Sequence, residues 1–323
     1  MFNQGHIKMR TIVSVYLAVV LAGLSFIGCQ RREEASAKSP TVALVVKTVN
    51  HPYFIDMQQG AEAAAKRLGI HLIVQGAERE VDVEKQMQIV ENLIQKKVDA
   101  ICLAPSGSRE LVPVVVKANR ANIPVIILDT RIDSAALREA GGKVGTFIGS
   151  DNFEGGKVAG TYILEKLKGN GNVAILEGIP GHETGDARRK GFHSVVDQAP
   201  GIKIVASQTA NWERDQGFNV FQNMLQSHPD VQALFACNDL MALGAIEAVA
   251  AAGKTGKILV VGFDAVKDGR DAIRQGTMAA SVAQHPDEMG KLGVENACRI
   301  ICGEPVPDYV PVKIELITKQ NVE

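Results

Sequence analysis

The sequence predicts an α/β fold of two doubly wound parallel-sheet lobes joined by a multi-crossing hinge. Three observations predict it. Short runs of β-branched residues alternate with amphipathic segments of helical period. The alternation occurs twice, with nearly the same spacing. Polar and aromatic residues collect just after the runs, where open parallel sheets hold their ligands.

In chain order, Lys8 and Arg10 precede an uncharged, mostly apolar run from Thr11 to Gly28, and Cys29 follows at once. A basic start, an apolar centre and small residues before a break describe a secretory signal over residues 1–29. A retained anchor helix is the alternative at this length, and Met9 offers a second start. Phe26-Ile27-Gly28-Cys29 resembles a bacterial lipobox, which implies a lipid on Cys29, although leucine is usual where Phe26 stands. Residues 30–40 are polar, end in proline and read as a flexible tether.

The apolar runs then begin at Val42, Leu72, Ala100 and Val125, with steps of 30, 28 and 25 residues. They begin again at Val173, Ile202, Ala233 and Ile258, with steps of 29, 31 and 25. Between the first runs, 54–68 and 83–97 carry apolar residues three and four apart, the signature of helices packed on a parallel sheet. Residues 146–152 form an extended crossing into the second half. Residues 278–284 read as a further strand and 285–302 as a last helix. Return crossings are expected near that strand and near Val310. The first lobe is thus expected at 41–150 plus 284–312, and the second at 151–283 plus 313–323. A multiply crossed joint between similar lobes acts as a hinge.

Composition narrows the function. The 323 residues suit two domains at about 150 residues each. Lys and Arg total 35 against 36 Asp and Glu, which argues against the basic face of a nucleic-acid binder. Cys102 and Cys237 lie in apolar runs and read as buried thiols. Cys298 and Cys302 are four apart on the expected last helix, where a disulfide would be strained. There is no Walker-type loop, nucleophile elbow, dinucleotide fingerprint or zinc spacing. No catalytic residue, metal or cofactor is expected.

After the first-half runs come His51, Tyr53 and Phe54; Gly76 and Glu78; Pro105 and Ser106; and Asp129, Thr130 and Arg131. After the second-half runs come His182, Thr184 and Arg188; Trp212, the only tryptophan; Asn238 and Asp239; and Phe263 and Asp264, with Gln284 ending the next strand. This set suits a sugar. Hydroxyls donate and accept, and they match carboxylates, amides and guanidinium. The C–H faces of the ring pack on aromatics, with Tyr53 and Phe54 on one side and Trp212 on the other. Ligand contact is preferred for Asp129 and Asp264, and helix capping for Asp239. Phe263 reads as either a core or a cleft residue. His51, His182 and His285 lack metal-ligand spacing and read as polar lining or ordinary loop residues. Glu78, Arg131, Arg189 and Lys190 read as solvated.

The stretches TVALVVKTVNHPYF, ANIPVIILDT, FIGSDNFEGGKVAG, HPDVQALFACNDLMALGA, VVGFDAVKDG and SVAQHPDEMG carry a family resemblance. From Thr41 to about Gln320 the chain resembles periplasmic ribose-binding proteins and, more broadly, the pentose- and hexose-binding proteins of ABC importers. That resemblance implies the type I periplasmic binding protein fold. It implies ligand roles for Tyr53, Phe54, Asp129, Trp212, Asn238, Phe263, Asp264 and Gln284. His51 stands where ribose binders have asparagine, and Thr130 where they have arginine. The loop GIPGHETGDAR is more similar to glucose/galactose binders, which implies contacts from His182 and Arg188, with Thr184 in place of an aspartate. The calcium loop of those hexose binders is not recognisable.

The function expected is extracytoplasmic capture of a monosaccharide (a pentose, hexose or related polyol) and delivery to the membrane permease of an ABC importer. A lipid on Cys29 would anchor the protein at the periplasmic or outer cell surface. The rivals are a sugar or furanosyl-signal sensor acting on a membrane receptor, a secreted sugar-processing enzyme, and a cytoplasmic regulator of the lactose-repressor type. The last has a DNA-binding segment where this chain has its signal.

Overall fold

The computed structural model describes residues 39–323. The expected signal segment, the lipidation site at Cys29 and nearly all of the tether lie outside the described residues.

The first sheet is built from β1 (Thr41–Thr48), β2 (His71–Ala77), β3 (Ala100–Leu103), β4 (Val125–Leu128), β5 (Thr146–Gly149) and β11 (Tyr309–Pro311). Its order is β11-β5-β4-β3-β1-β2, and every pair is parallel. The second sheet has β6 (Asn170–Glu177), β7 (Gly201–Thr209), β8 (Ala233–Ala236), β9 (Leu259–Asp264), β10 (Ala280–Ala283) and β12 (Glu315–Thr318). Its order, β12-β10-β9-β8-β6-β7, repeats the first position for position. The one departure is β12, which runs antiparallel to β10. The strand order reverses beside β1 in the first sheet and beside β6 in the second, so a crevice opens at the carboxyl ends of β1 and β3, and of β6 and β8.

The central strands are wholly buried because helices cover both faces. Val42, Leu44 and Val46 of β1 face one layer, and Ala43 and Val45 the other. Helix α1 (Pro52–Leu68) begins two residues before the expected 54, because Pro52 supplies a helix-ready φ at the first turn and the His51 Nδ1 accepts from the Tyr53 N–H at 3.1 Å. Helix α2 (Val83–Gln95) ends two residues before the expected 97, which takes a left-handed φ of 55°.

Helices α3 (Val112–Arg120) and α4 (Ser134–Glu139) complete the first lobe, together with α10 (Pro286–Ile301), which packs on α1. The second lobe carries α5 (Asn152–Lys166), α6 (Glu183–Val196), α7 (Arg214–Ser227), α8 (Asp239–Ala251) and α9 (Lys267–Gln275). Helices α5 and α6 meet backbone to backbone. A Cβ on Gly156 would lie 2.0 Å from the Arg188 carbonyl oxygen, and one on Gly191 would lie 1.9 Å from that of Phe153. These two glycines let α6 approach closely enough to aim Arg188 into the crevice.

The chain passes between the sheets three times: after β5, after β10 and between β11 and β12. The first two passages touch, with the Ser150 hydroxyl donating to the Gln284 carbonyl at 3.4 Å.

Candidate functional site

Where the strand tips of the two sheets face each other they leave a small, tightly lined cavity. His51, Tyr53, Phe54 and Asp129 line it from the first lobe, and Thr184, Arg188, Trp212, Asn238, Asp264 and Gln284 from the second. Two further lining residues, Lys47 and Glu80, were missed in the sequence. Both carry signals. Lys47 is a charge inside an otherwise apolar strand, and Glu80 sits two residues beyond Glu78, which is solvent-exposed.

The first-lobe floor is a buried charge cluster. Lys47 Nζ lies 2.9 Å from Asp129 Oδ2 and 3.8 Å from Glu80 Oε2. The Tyr53 hydroxyl donates to Asp129 Oδ1 at 2.9 Å. Burial works against charge on Lys47, but Asp129 and Glu80 outweigh it and raise the ammonium above its usual value. Burial would raise Asp129, yet Lys47 and Arg188 hold it low, so it stays ionised. Burial lifts Glu80 to about 7 against the pull of Lys47. It lowers His51 to about 4, which keeps the Nδ1 lone pair free to cap α1.

The second-lobe wall is built around Arg188. Its Nε donates to Asn152 Oδ1 at 2.8 Å and its Nη1 to the Cys237 carbonyl at 2.6 Å. Its plane lies 3.8 Å from the centre of the Phe263 ring. Asp264 Oδ1 is 3.5 Å from the same Nη1 and accepts from Gln284 Nε2 at 2.7 Å. Burial raises Asp264 to about 7, opposed by Arg188. The Gln284 Oε1 is buried with no hydrogen-bond partner, an acceptor left over in the wall of the cavity. Asp129 (φ 62°) and Asp264 (φ 102°) both hold left-handed backbone at the ends of equivalent strands. For a non-glycine residue that is strain, which surrounding contacts must maintain and which concentrates at binding sites.

Trp212 lies in a slot floored by glycine, since a Cβ on Gly178 would meet its ring at 1.9 Å and one on Gly185 at 3.0 Å. The Asn238 amide donates to the Trp212 carbonyl at 3.1 Å and accepts from the Met241 N–H at 2.9 Å, so it caps α8 and braces the loop together.

Three expected residues do not line the cavity. Thr130 turns away and donates to Asp129 Oδ2 at 2.8 Å. Phe263 is wholly buried beneath Arg188, because strand alternation puts it on the face opposite Asp264. His182 lies behind Trp212, its Nδ1 accepting from the indole Nε1 at 3.3 Å. Two other readings change as well. Asp239 does not cap α8, whose cap is Asn238. Its carboxylate accepts from the Val266 N–H at 2.9 Å and the Ser281 hydroxyl at 2.6 Å, and Ser281 accepts from the Ala265 N–H at 2.9 Å. Asp239 thereby holds the strained turn that carries Asp264. Arg131 is solvent-exposed but stacked, 3.9 Å from the Phe147 ring centre and 4.7 Å from that of Tyr309.

The family described as periplasmic binding protein domain matches residues 42–305. The chain belongs to that family. Among its relatives, the ribose import binding protein of Escherichia coli strain K12 is 41% identical over 280 residues, covering 87% of this chain and 91% of that protein. The D-allose-binding periplasmic protein of the same organism is 38% identical over 284 residues, covering 86% and 91%. A periplasmic solute-binding protein of an ABC transporter from Actinobacillus succinogenes, solved with bound D-allose, superposes with a TM-score of 0.84. It is 42% identical, and the match covers 88% of this chain and 99% of that one. The doubled sheet with a crevice between its halves is therefore the architecture of this family, and the cavity occupies that crevice.

Proposed function

We propose that the protein captures one monosaccharide between its lobes and hands it unchanged to the permease of an ABC importer. It is a binding protein and not an enzyme, as its relatives among sugar importers are. The observation that carries the reading is the pairing of polar groups across one cavity between the lobes. Asp129 faces it from one lobe. Asp264, Arg188 and the unpartnered Gln284 oxygen face it from the other, with Tyr53, Phe54 and Trp212 as apolar walls. Adjacent hydroxyls suit these planar groups, and the C–H faces suit the rings. Relatives that bind ribose and D-allose support an aldose of pentose or hexose size.

The site residues come from both lobes, so binding and closure are linked, and the sugar shifts the equilibrium by its extra affinity for the closed form. The three passages between the sheets serve as the hinge. The protein acts outside the cytoplasm, and Cys29 carries the lipid that holds it to the membrane. The lipobox-like Phe26-Ile27-Gly28-Cys29 supports that anchorage. Loss of membrane fractionation in C29S would support it, and unchanged fractionation would refute it.

Calorimetry with ribose, allose, glucose, galactose and arabinose tests the main reading. Heat with at least one, at one sugar per chain, is expected. Silence with all of them and with related polyols would refute it.

A further inference from the structure

Strands β2 and β7 hold the same place in their sheets. Each is the edge strand farthest from the hinge passages, which involve β5, β10, β11 and β12 at the other edge. The turns that follow these two strands carry Arg79 and Glu213, and Arg79 Nε lies 3.8 Å from Glu213 Oε1. Among the described residues this is the only ion pair that spans the lobes.

Both ends of the pair are set by their turns. The Arg79 N–H donates to Asp82 Oδ2 at 3.2 Å, and the Asp82 N–H donates back to the Arg79 carbonyl at 3.1 Å. Glu213 is the N-cap of α7, where a short acceptor such as serine or aspartate is usual, yet its side chain makes no capping bond. It meets Arg79 instead. Just before it, Asn211 (φ 51°) and Trp212 (φ 67°) hold left-handed backbone, and the Asn211 amide donates to Gln216 Oε1 at 2.8 Å. One strained turn therefore delivers Trp212 to the cavity and Glu213 to the rim. The gap beside the pair shares His51, Glu80 and Trp212 with the cavity. Among the described residues of that gap Arg79 is the only cation, and it stands with Glu78, Glu80 and Glu213.

We infer that Arg79 and Glu213 are positioning residues for capture: their ion pair fastens the lobes at the edge remote from the hinge and so governs how long the sugar is held. The inference rests on the sugar-binding reading. When the lobes swing apart about the hinge, the far edges separate most, so the pair exists only in the closed form. Its side chains are 57% and 32% exposed, so its strength is modest and salt screens it. A sugar has no charge to be steered by the pair, so the pair acts on opening rather than on encounter. Salt in turn acts on the protein's own charges and not on the ligand.

The experiment measures D-allose and D-ribose binding to the wild type, R79Q, R79E and R79E/E213R. Calorimetry gives the affinity. Stopped-flow dilution followed at Trp212, the only tryptophan, gives the release rate. R79E sets a further carboxylate in the gap, and it releases sugar about fivefold faster and binds about fivefold more weakly than the wild type. R79E/E213R restores the pair in reverse and recovers most of that loss. The ratio of ribose to allose affinity stays as in the wild type, because neither residue lines the cavity. Raising salt from about 0.05 M to about 0.5 M weakens the wild type about twofold and leaves R79Q nearly unchanged. That comparison uses no reversed charge, so it decides the matter even where R79E folds poorly. Wild-type affinity in R79E, a double variant no tighter than R79E, or equal salt dependence in wild type and R79Q would overturn the fastening while leaving sugar binding intact. A changed ribose-to-allose ratio in R79E would make Arg79 a ligand contact and overturn the positioning role. No heat from the wild type with either sugar or with the wider panel would overturn the binding reading itself.

Discussion

Lys47 Nζ stands 2.9 Å from Asp129 Oδ2, with both side chains only 4% exposed. The pair sits beneath the Tyr53 hydroxyl and beside Glu80, so one ammonium serves two buried carboxylates. K47M removes the only cation of that cluster and leaves the carboxylates desolvated and uncompensated. Breaking one side of a buried pair costs about 3–5 kcal/mol. Urea unfolding should show a loss of that order, and a loss below about 1 kcal/mol would mean that the carboxyls are neutral in the folded protein.

On the opposite wall, D264A and R188A should each weaken sugar binding by more than about tenfold, since unfilled partners in a closed cleft cost ~1–3 kcal/mol apiece. Calorimetry with the best sugar of the panel measures it. Wild-type affinity in both variants would place the ligand elsewhere.

The glycine beneath Trp212 gives a steric prediction. In G178A the added methyl lands 1.9 Å from the indole ring, so the ring must leave its slot. Overpacking of this kind costs roughly 1–3 kcal/mol. The indole emission should shift and sugar affinity should fall at least tenfold. Unaltered emission together with unaltered affinity would show that the ring is not required where it stands.

Stability should depend on pH with a definite sign. Glu80 is held at about 7 in the folded protein, against about 4.3 for an unperturbed glutamate. Between those values the folded state binds the extra proton, so the contribution of Glu80 is fully present below about pH 4 and is lost as pH rises through 7. His51 and His182 work the other way, present above about 6.5 and lost as pH falls towards about 4 and 3. Comparing wild type with E80Q isolates the carboxyl. The wild type should lose ground to E80Q between pH 5 and 7, by at most about 1.4 kcal/mol per pH unit in urea unfolding. A constant difference across that range would contradict the assignment.

Much of the site could be read from residues that directly follow an apolar run, because strand ends in such sheets point at the crevice. Asp129, Asp264 and Gln284 stand in that position, whereas Arg188 is carried in on the second turn of α6. Lys47 was passed over because it still belongs to β1, where a charge is normally excluded, and only the facing Asp129 and Glu80 make its burial tolerable. Phe263 and Thr130, which the family resemblance singles out, adjoin lining residues in the chain but do not line the cavity. A neighbour in a strand or tight turn points to the other face, and the left-handed turns at Asp129 and Asp264 decide which one enters the cavity. His182 stands two residues before the lining Thr184, at the N-cap of α6, but it is directed onto Trp212, a partner 30 residues distant in sequence.

The sequence by itself determined the βα alternation, its doubling and the set of loops that could meet, because hydrophobic period and turn chemistry are local properties. Only the tertiary structure decided which members of those loops face the ligand space, which brace it and which carry a proton. Those choices depend on burial and on charges brought together from distant strands, as when Lys47 meets Asp129 or Arg188 meets Asp264, and no spacing along the chain encodes them.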